Sequence, residues 1–132
     1  MEYKYILPNG TSGPLDRVFV DNSTVILNMI SSCSDSDEIP ILNNSINSED
    51  VKNVTLLLKY LLNSPEVSKE QIDSLISENN LEKIEKMILL SEYCDIELTL
   101  NYLLKFIAEL VRKSSSLENL KKLFDKNYKD FS

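Results

Sequence analysis

The feature that most constrains this chain is the apolar periodicity between Leu81 and Phe124. Leu81, Ile84, Met87 and Ile88 recur at steps of three and four, as do Leu100, Leu103, Leu104, Ile107, Leu110 and Val111, and then Leu117, Leu120 and Phe124. Such steps stack side chains on one face of a 3.6-residue helix. The spacing predicts three helices, about 81–94, 96–112 and 116–124, the middle one roughly 25 Å long at 1.5 Å per residue.

The middle helix carries more apolar surface than one core-facing stripe needs. Leu103, Leu104, Phe106, Ile107, Leu110 and Val111 cover well over half of its circumference, whereas a surface helix needs an apolar arc of only about 100°. Burying each such side chain is worth roughly 1.5–3 kcal/mol. Either the helix lies in the middle of its own domain, or it presents an apolar face to a partner.

The front half reads differently. Tyr3–Leu7 is short and aromatic-rich, as strands are. Pro8–Pro14 is turn chemistry, with an Asn-Gly step and both glycines of the chain,. Leu15–Val20 reads as a second strand, with Val18 and Val20 on one side and Arg17 and Phe19 on the other. Asp21, Asn22 or Ser23 then caps a helix through Val25, Ile26, Met29 and Ile30. Ser31–Asp37 is a polar loop, and Glu38–Leu42 a third strand that Pro40 confines to an edge. Asn47 or Ser48 caps a helix with Val51, Val54, Leu57, Leu58, Leu61 and Leu62 on its core side, ending at Ser64-Pro65. A Ser68/Gln71 capping box opens a weaker helix through Ile72, Leu75 and Ile76. The order is strand, strand, helix, strand, helix, then helices to the end. A small sheet in front of a helical cluster is an α+β arrangement.

Composition narrows the function classes. With 132 residues, 42% hydrophobic and 27% charged, the chain suits one soluble globular domain. A net charge of −7 disfavours a nucleic-acid partner. The excess lies in front: residues 1–50 hold eight acids and two bases, residues 81–132 nine of each. No run approaches the roughly 18 apolar residues of a membrane span, and no signal peptide opens the chain. Two cysteines, Cys33 and Cys94, without a CxxC pair, fit a reducing compartment, so the expected setting is cytoplasmic, nuclear or both. No histidine is present, which removes Ser-His and Cys-His catalysis and the commonest metal ligand. Two glycines cannot build a phosphate cradle. Cys94 reads as a small core residue, and Asp35–Glu38 lacks the ligand spacing of an EF-hand loop. No enzyme, cofactor or metal is expected.

Four segments resemble one family. Ile88–Ile96, ILLSEYCDI, is similar to a helix end in the Skp-type adaptors of cullin ubiquitin ligases, which have a POZ (BTB) fold. Leu110–Phe124, LVRKSSSLENLKKLF, looks like a segment near that family's C-terminus. Ser23–Ile30, STVILNMI, resembles one of its early helices, and Ile39–Leu42, IPIL, sits where the family has a similar Pro-containing strand. The pieces occur in the right order over roughly residues 3–126.

The resemblance implies a POZ-like half, 1–95, with its small sheet packed on helices, followed by a helical extension, 96–132. In the family the POZ half binds the N-terminal domain of a cullin, and the helices after it form an apolar platform for F-box substrate receptors. Carried over by position, Tyr93 and its neighbour Glu92 would meet the cullin. Ile107, Leu110, Val111, Leu117, Leu120 and Phe124 would form the F-box platform. The chain departs from the family in three ways: Glu92 replaces an asparagine, tryptophan is absent, and the last family helix is missing or only begun. Elongin C resembles the POZ half alone, ending near the position of Asp95, so residues 96–132 favour the Skp type. Two functions are open: a non-catalytic adaptor joining cullin to F-box receptor, or a stand-alone POZ protein acting as a decoy that binds a cullin or itself without recruiting a receptor. Both are compatible with a weak homodimer.

Overall fold

The sheet begins with a hairpin. Strands β1 (Tyr3–Ile6) and β2 (Ser12–Leu15) pair antiparallel, Tyr3 opposite Leu15 and Tyr5 opposite Gly13. In this computed structural model residues 2–32, 36–63, 69–114, 118–119 and 121–122 are described. The turn is shorter than the Pro8–Pro14 stretch suggests. The Leu7 N–H donates to the Thr11 carbonyl at 2.8 Å and the Thr11 N–H to Asn9 Oδ1 at 2.9 Å. Gly10 takes φ +88°, a left-handed conformation that costs glycine little. Gly13 serves the strand instead. A Cβ there would stand 2.7 Å from the Tyr5 hydroxyl oxygen, so the tyrosine lies across a position only glycine can fill.

A third strand, β3 (Glu38–Pro40), runs parallel to β1 on its other side, giving the order β2-β1-β3. Both outer strands carry a proline turned away from β1. Pro14 opposes Lys4, whose own N–H goes to the Asp37 carbonyl at 3.0 Å. Pro40 opposes Ile6, which accepts instead from the Ile41 N–H at 2.9 Å. A proline offers an incoming strand no N–H, which blunts both edges against strand addition.

The expected second strand is misplaced. Leu15 closes β2, and residues Arg17–Asn22 form helix α1. Asp16 caps it, accepting from the Val18 N–H at 2.9 Å,. Phe19 and Val20 are adjacent and both buried, at 0% and 1% exposure. A strand would send them to opposite faces, whereas a helix keeps neighbours within about 100° of each other. The alternation from Arg17 to Val20 was compatible with either.

Helix α2 (Thr24–Ser32) follows directly, with Ser23 Oγ accepting from the Ile26 N–H at 3.1 Å, as a capping serine does. Helix α3 (Ser48–Leu62) opens on a capping box in which Asn47 and Asp50 bond each other's backbone N–H,. Burial pushes the Asp50 carboxyl above its ordinary range, against the Asn47 N–H that holds it down. Helices α4 (Lys69–Leu75), α5 (Leu81–Tyr93) and α6 (Glu97–Lys113) complete the elements. The Ser64-Pro65 stop, the Ser68 cap and the middle of the 31–37 loop lie outside the described residues. So does most of the expected 116–124 helix, of which Glu118, Asn119, Lys121 and Lys122 are helical.

Helix α3 is the hub, touching α1, α4, α5 and α6. Its Val54, Leu57 and Leu58 meet Ile84, Met87 and Leu90 of α5 in one core, all 0% exposed. Tyr5, Leu15 and Ile39 of the sheet and Phe19 of α1 close the front of it. The architecture is α+β, a three-stranded sheet at the N-terminal side with helices packed behind.

Candidate functional site

Two places bring the expected interaction residues to the surface. The first is the corner between α5 and α6. The N–H of Cys94 reaches back to the Leu90 carbonyl at 3.0 Å, and Asp95 takes φ 51° to turn the chain. Aspartate is among the few non-glycine residues that enter this region readily. The Ile96 N–H then closes the reversal on the Ser91 carbonyl at 2.8 Å.

The corner also caps another helix. The N–H groups of Thr24 and Val25 donate to the carbonyls of Asp95 (3.3 Å) and Cys94 (3.4 Å). Ser23 Oγ donates to the Cys94 carbonyl at 2.6 Å. Donors at a helix start have no partner within the helix; here residues some seventy positions later supply them. Nearby, Ser91 and Thr99 share a hydroxyl–hydroxyl bond of 2.8 Å with both residues fully buried, fastening α5 to α6.

Tyr93 is half-buried at this corner, and its hydroxyl accepts from the Leu42 N–H at 3.0 Å. That bond pins the segment after β3 to the end of α5. Leu42 itself is 72% exposed, so an aliphatic side chain in water stands next to a tyrosine. Glu92 is exposed. Leu42 had no signal of its own in the sequence beyond following the Pro40 strand.

The second place is α6. Thr99, Leu103 and Leu110 are buried, and Tyr102 and Phe106 are packed partly against the core. A second row, Leu100, Leu104, Ile107 and Val111, follows the same helical steps on the flank. Leu100 and Ile107 are half-buried, while Leu104 and Val111 are 48% and 52% exposed. Of the residues assigned by resemblance to a receptor platform, Val111 lies on this outer row, Ile107 straddles row and core, and Leu110 is core. Leu117, Leu120 and Phe124 lie outside the described residues. Leu104 belongs to the outer row and was visible in the sequence only as surplus hydrophobicity.

Features suited to chemistry are sparse among the described residues. Burial pushes the Cys94 thiol up to about 12, only partly opposed by a bond from Ser23; such a thiol supplies almost no thiolate at neutral pH. A cleft of about 850 Å³ opens between the hairpin and α3, with Tyr3, Tyr5, Leu15, Val51, Lys52 and Lys59 in its wall. At its rim Lys59 bonds Asp16 at 2.8 Å. That bond, with the Val18 N–H, holds the Asp16 carboxyl below its ordinary range. The pair is a surface ion pair that also steadies the α1 cap. No group of three or more metal-ligating side chains occurs among the described residues, and none of their helices is long and apolar enough to cross a membrane.

No protein-family model and no curated protein matches the chain.

Proposed function

We propose that this chain is a non-catalytic adaptor of the Skp type, with residues 1–95 as a POZ-like half that meets a cullin scaffold and residues 96–132 as the extension that takes an F-box receptor. The observation that carries the reading is the outer row of α6. A helix already anchored by Leu103 and Leu110 holds Leu104 and Val111 about half in water, an expensive arrangement unless a partner covers them. An apolar row at i, i+4, i+7 and i+11 suits a partner that packs helices against it. The exposed Leu42 beside Tyr93 gives the cullin arm a comparable spot. A net charge of −7 sets nucleic acid aside, and the setting is cytoplasmic or nuclear.

The test is calorimetry of the purified protein against a cullin N-terminal domain and, separately, an F-box domain. The adaptor reading expects micromolar or tighter binding to both. Val111→Asp should then weaken the F-box arm at least tenfold and leave the cullin arm unchanged. Val111 is the position to change because an aspartate at buried Leu110 would unfold the helix. Cullin binding alone would favour the decoy, and binding to neither would sink both.

A further inference from the structure

We infer that the outer row of α6 is self-complementary and pairs two copies of this chain, the two α6 helices running antiparallel about a two-fold axis between Leu104 and Ile107. The inference rests on the row itself and stands apart from the adaptor reading. The spacing of Leu100, Leu104, Ile107 and Val111 is four, three, four, the same in both directions. Turning one helix end for end about the centre of the row therefore sets Leu104 against Ile107 of the second copy, and Leu100 against its Val111. An isologous contact demands this property, that each residue's partner finds it in return. At about 100° per residue the four side chains fall within an arc of roughly 60°, clear of the Thr99–Leu103–Leu110 side that holds α6 to its own core.

Charge selects the antiparallel sense. The first turn of α6 carries Glu97, and the last carries Arg112 and Lys113. Antiparallel pairing lays each acidic end beside a basic one and opposes the helix dipoles; parallel pairing would stack like on like. No charged residue lies within the row. The chain's net −7 is no obstacle here, because its surplus is in residues 1–50 while residues 81–132 hold nine acids and nine bases. Four side chains per copy cover much less than the ~800 Å² per partner of a standard interface, so the dimer is weak and concentration-dependent.

Sedimentation equilibrium of the full chain from about 10 µM to 1 mM tests it. The average mass should rise from 15.1 kDa toward twice that value. Leu104→Asp, its fold checked by circular dichroism, should lower the association constant at least tenfold. Orientation is read by cross-linking in a Cys33→Ser background, Cys94 being buried. Leu100→Cys mixed with Val111→Cys should cross-link across the interface, and neither should cross-link with itself, because like positions lie roughly 16 Å apart along the axis. A constant 15.1 kDa mass, association that ignores Leu104→Asp, or Val111→Cys joining to itself would each overturn the proposal. F-box binding enters none of these readouts, so either conclusion can fail alone.

Discussion

Helix α6 has two apolar rows of the same make. Leu103 and Leu110 are seven residues apart, and so are Leu104 and Val111, one position further along. The first pair is 0% and 9% exposed, the second 48% and 52%. A one-residue offset, about 100° around the helix, separates core from surface. Helical periodicity therefore shows that a row exists but not whether the fold covers it. That depends on where α5 and α3 happen to lie.

The sharpest way to break the comparison is to cut the same side chain on each side. Leu103→Ala should cost about 2–5 kcal/mol in urea unfolding, since it opens a cavity among fully buried neighbours. A cost below 1 kcal/mol would mean that α6 is not seated as described. Next comes the polar fastening behind the inner row. Thr99→Val keeps the volume but leaves the Ser91 hydroxyl without the bond it shares at 2.8 Å; about 1–3 kcal/mol is expected. If Ser91→Ala with Thr99→Val were no better than the single change, the two hydroxyls would not be coupled.

A pH effect sharpens the inner side further. The Cys94 thiol titrates higher folded, about 12, than its ordinary 9.0. Its neutral form is the one that folding favours, so its contribution is complete below about pH 9 and is lost as pH rises toward 12,. Stability should fall across that window, and Cys94→Ala should flatten the fall. A parallel decline in both proteins would assign it to other groups, Tyr102 first, whose hydroxyl burial also pushes up. Smallest of all, Leu104→Ala should stay within about 0.5 kcal/mol of the parent. A larger loss would mean that the outer row is already covered within the monomer.

Particular elements show why some of the fold was legible and some not. The α3 start could be read because its cap is local: Asn47 and Asp50 are three residues apart, and a capping box involves nothing else. The edge position of β3 was equally local, since Pro40 cannot donate to a neighbour. The α1 segment was misread because Arg17–Val20 alternates as a strand does. What distinguishes it is that Phe19 and Val20 are buried together, a fact about their surroundings. Gly13 was read as turn material, although its neighbour across the hairpin, Tyr5, is what requires it. Tyr93 stood out by resemblance, while its hydroxyl bond to the Leu42 backbone, 51 residues away, had no trace in the sequence.

By itself the sequence determined the helices α2, α3, α5 and α6, the three-stranded N-terminal sheet in outline, and the surplus of apolar surface on α6. These follow from side-chain period, capping chemistry and proline, which act over three or four residues. Only the tertiary structure decided that the carbonyls of Cys94 and Asp95 cap α2, and that Leu103 rather than Leu104 is buried. Which apolar row is covered depends on packing between elements distant in the chain, and hydrophobicity is the same for both rows until a neighbour removes one of them from water.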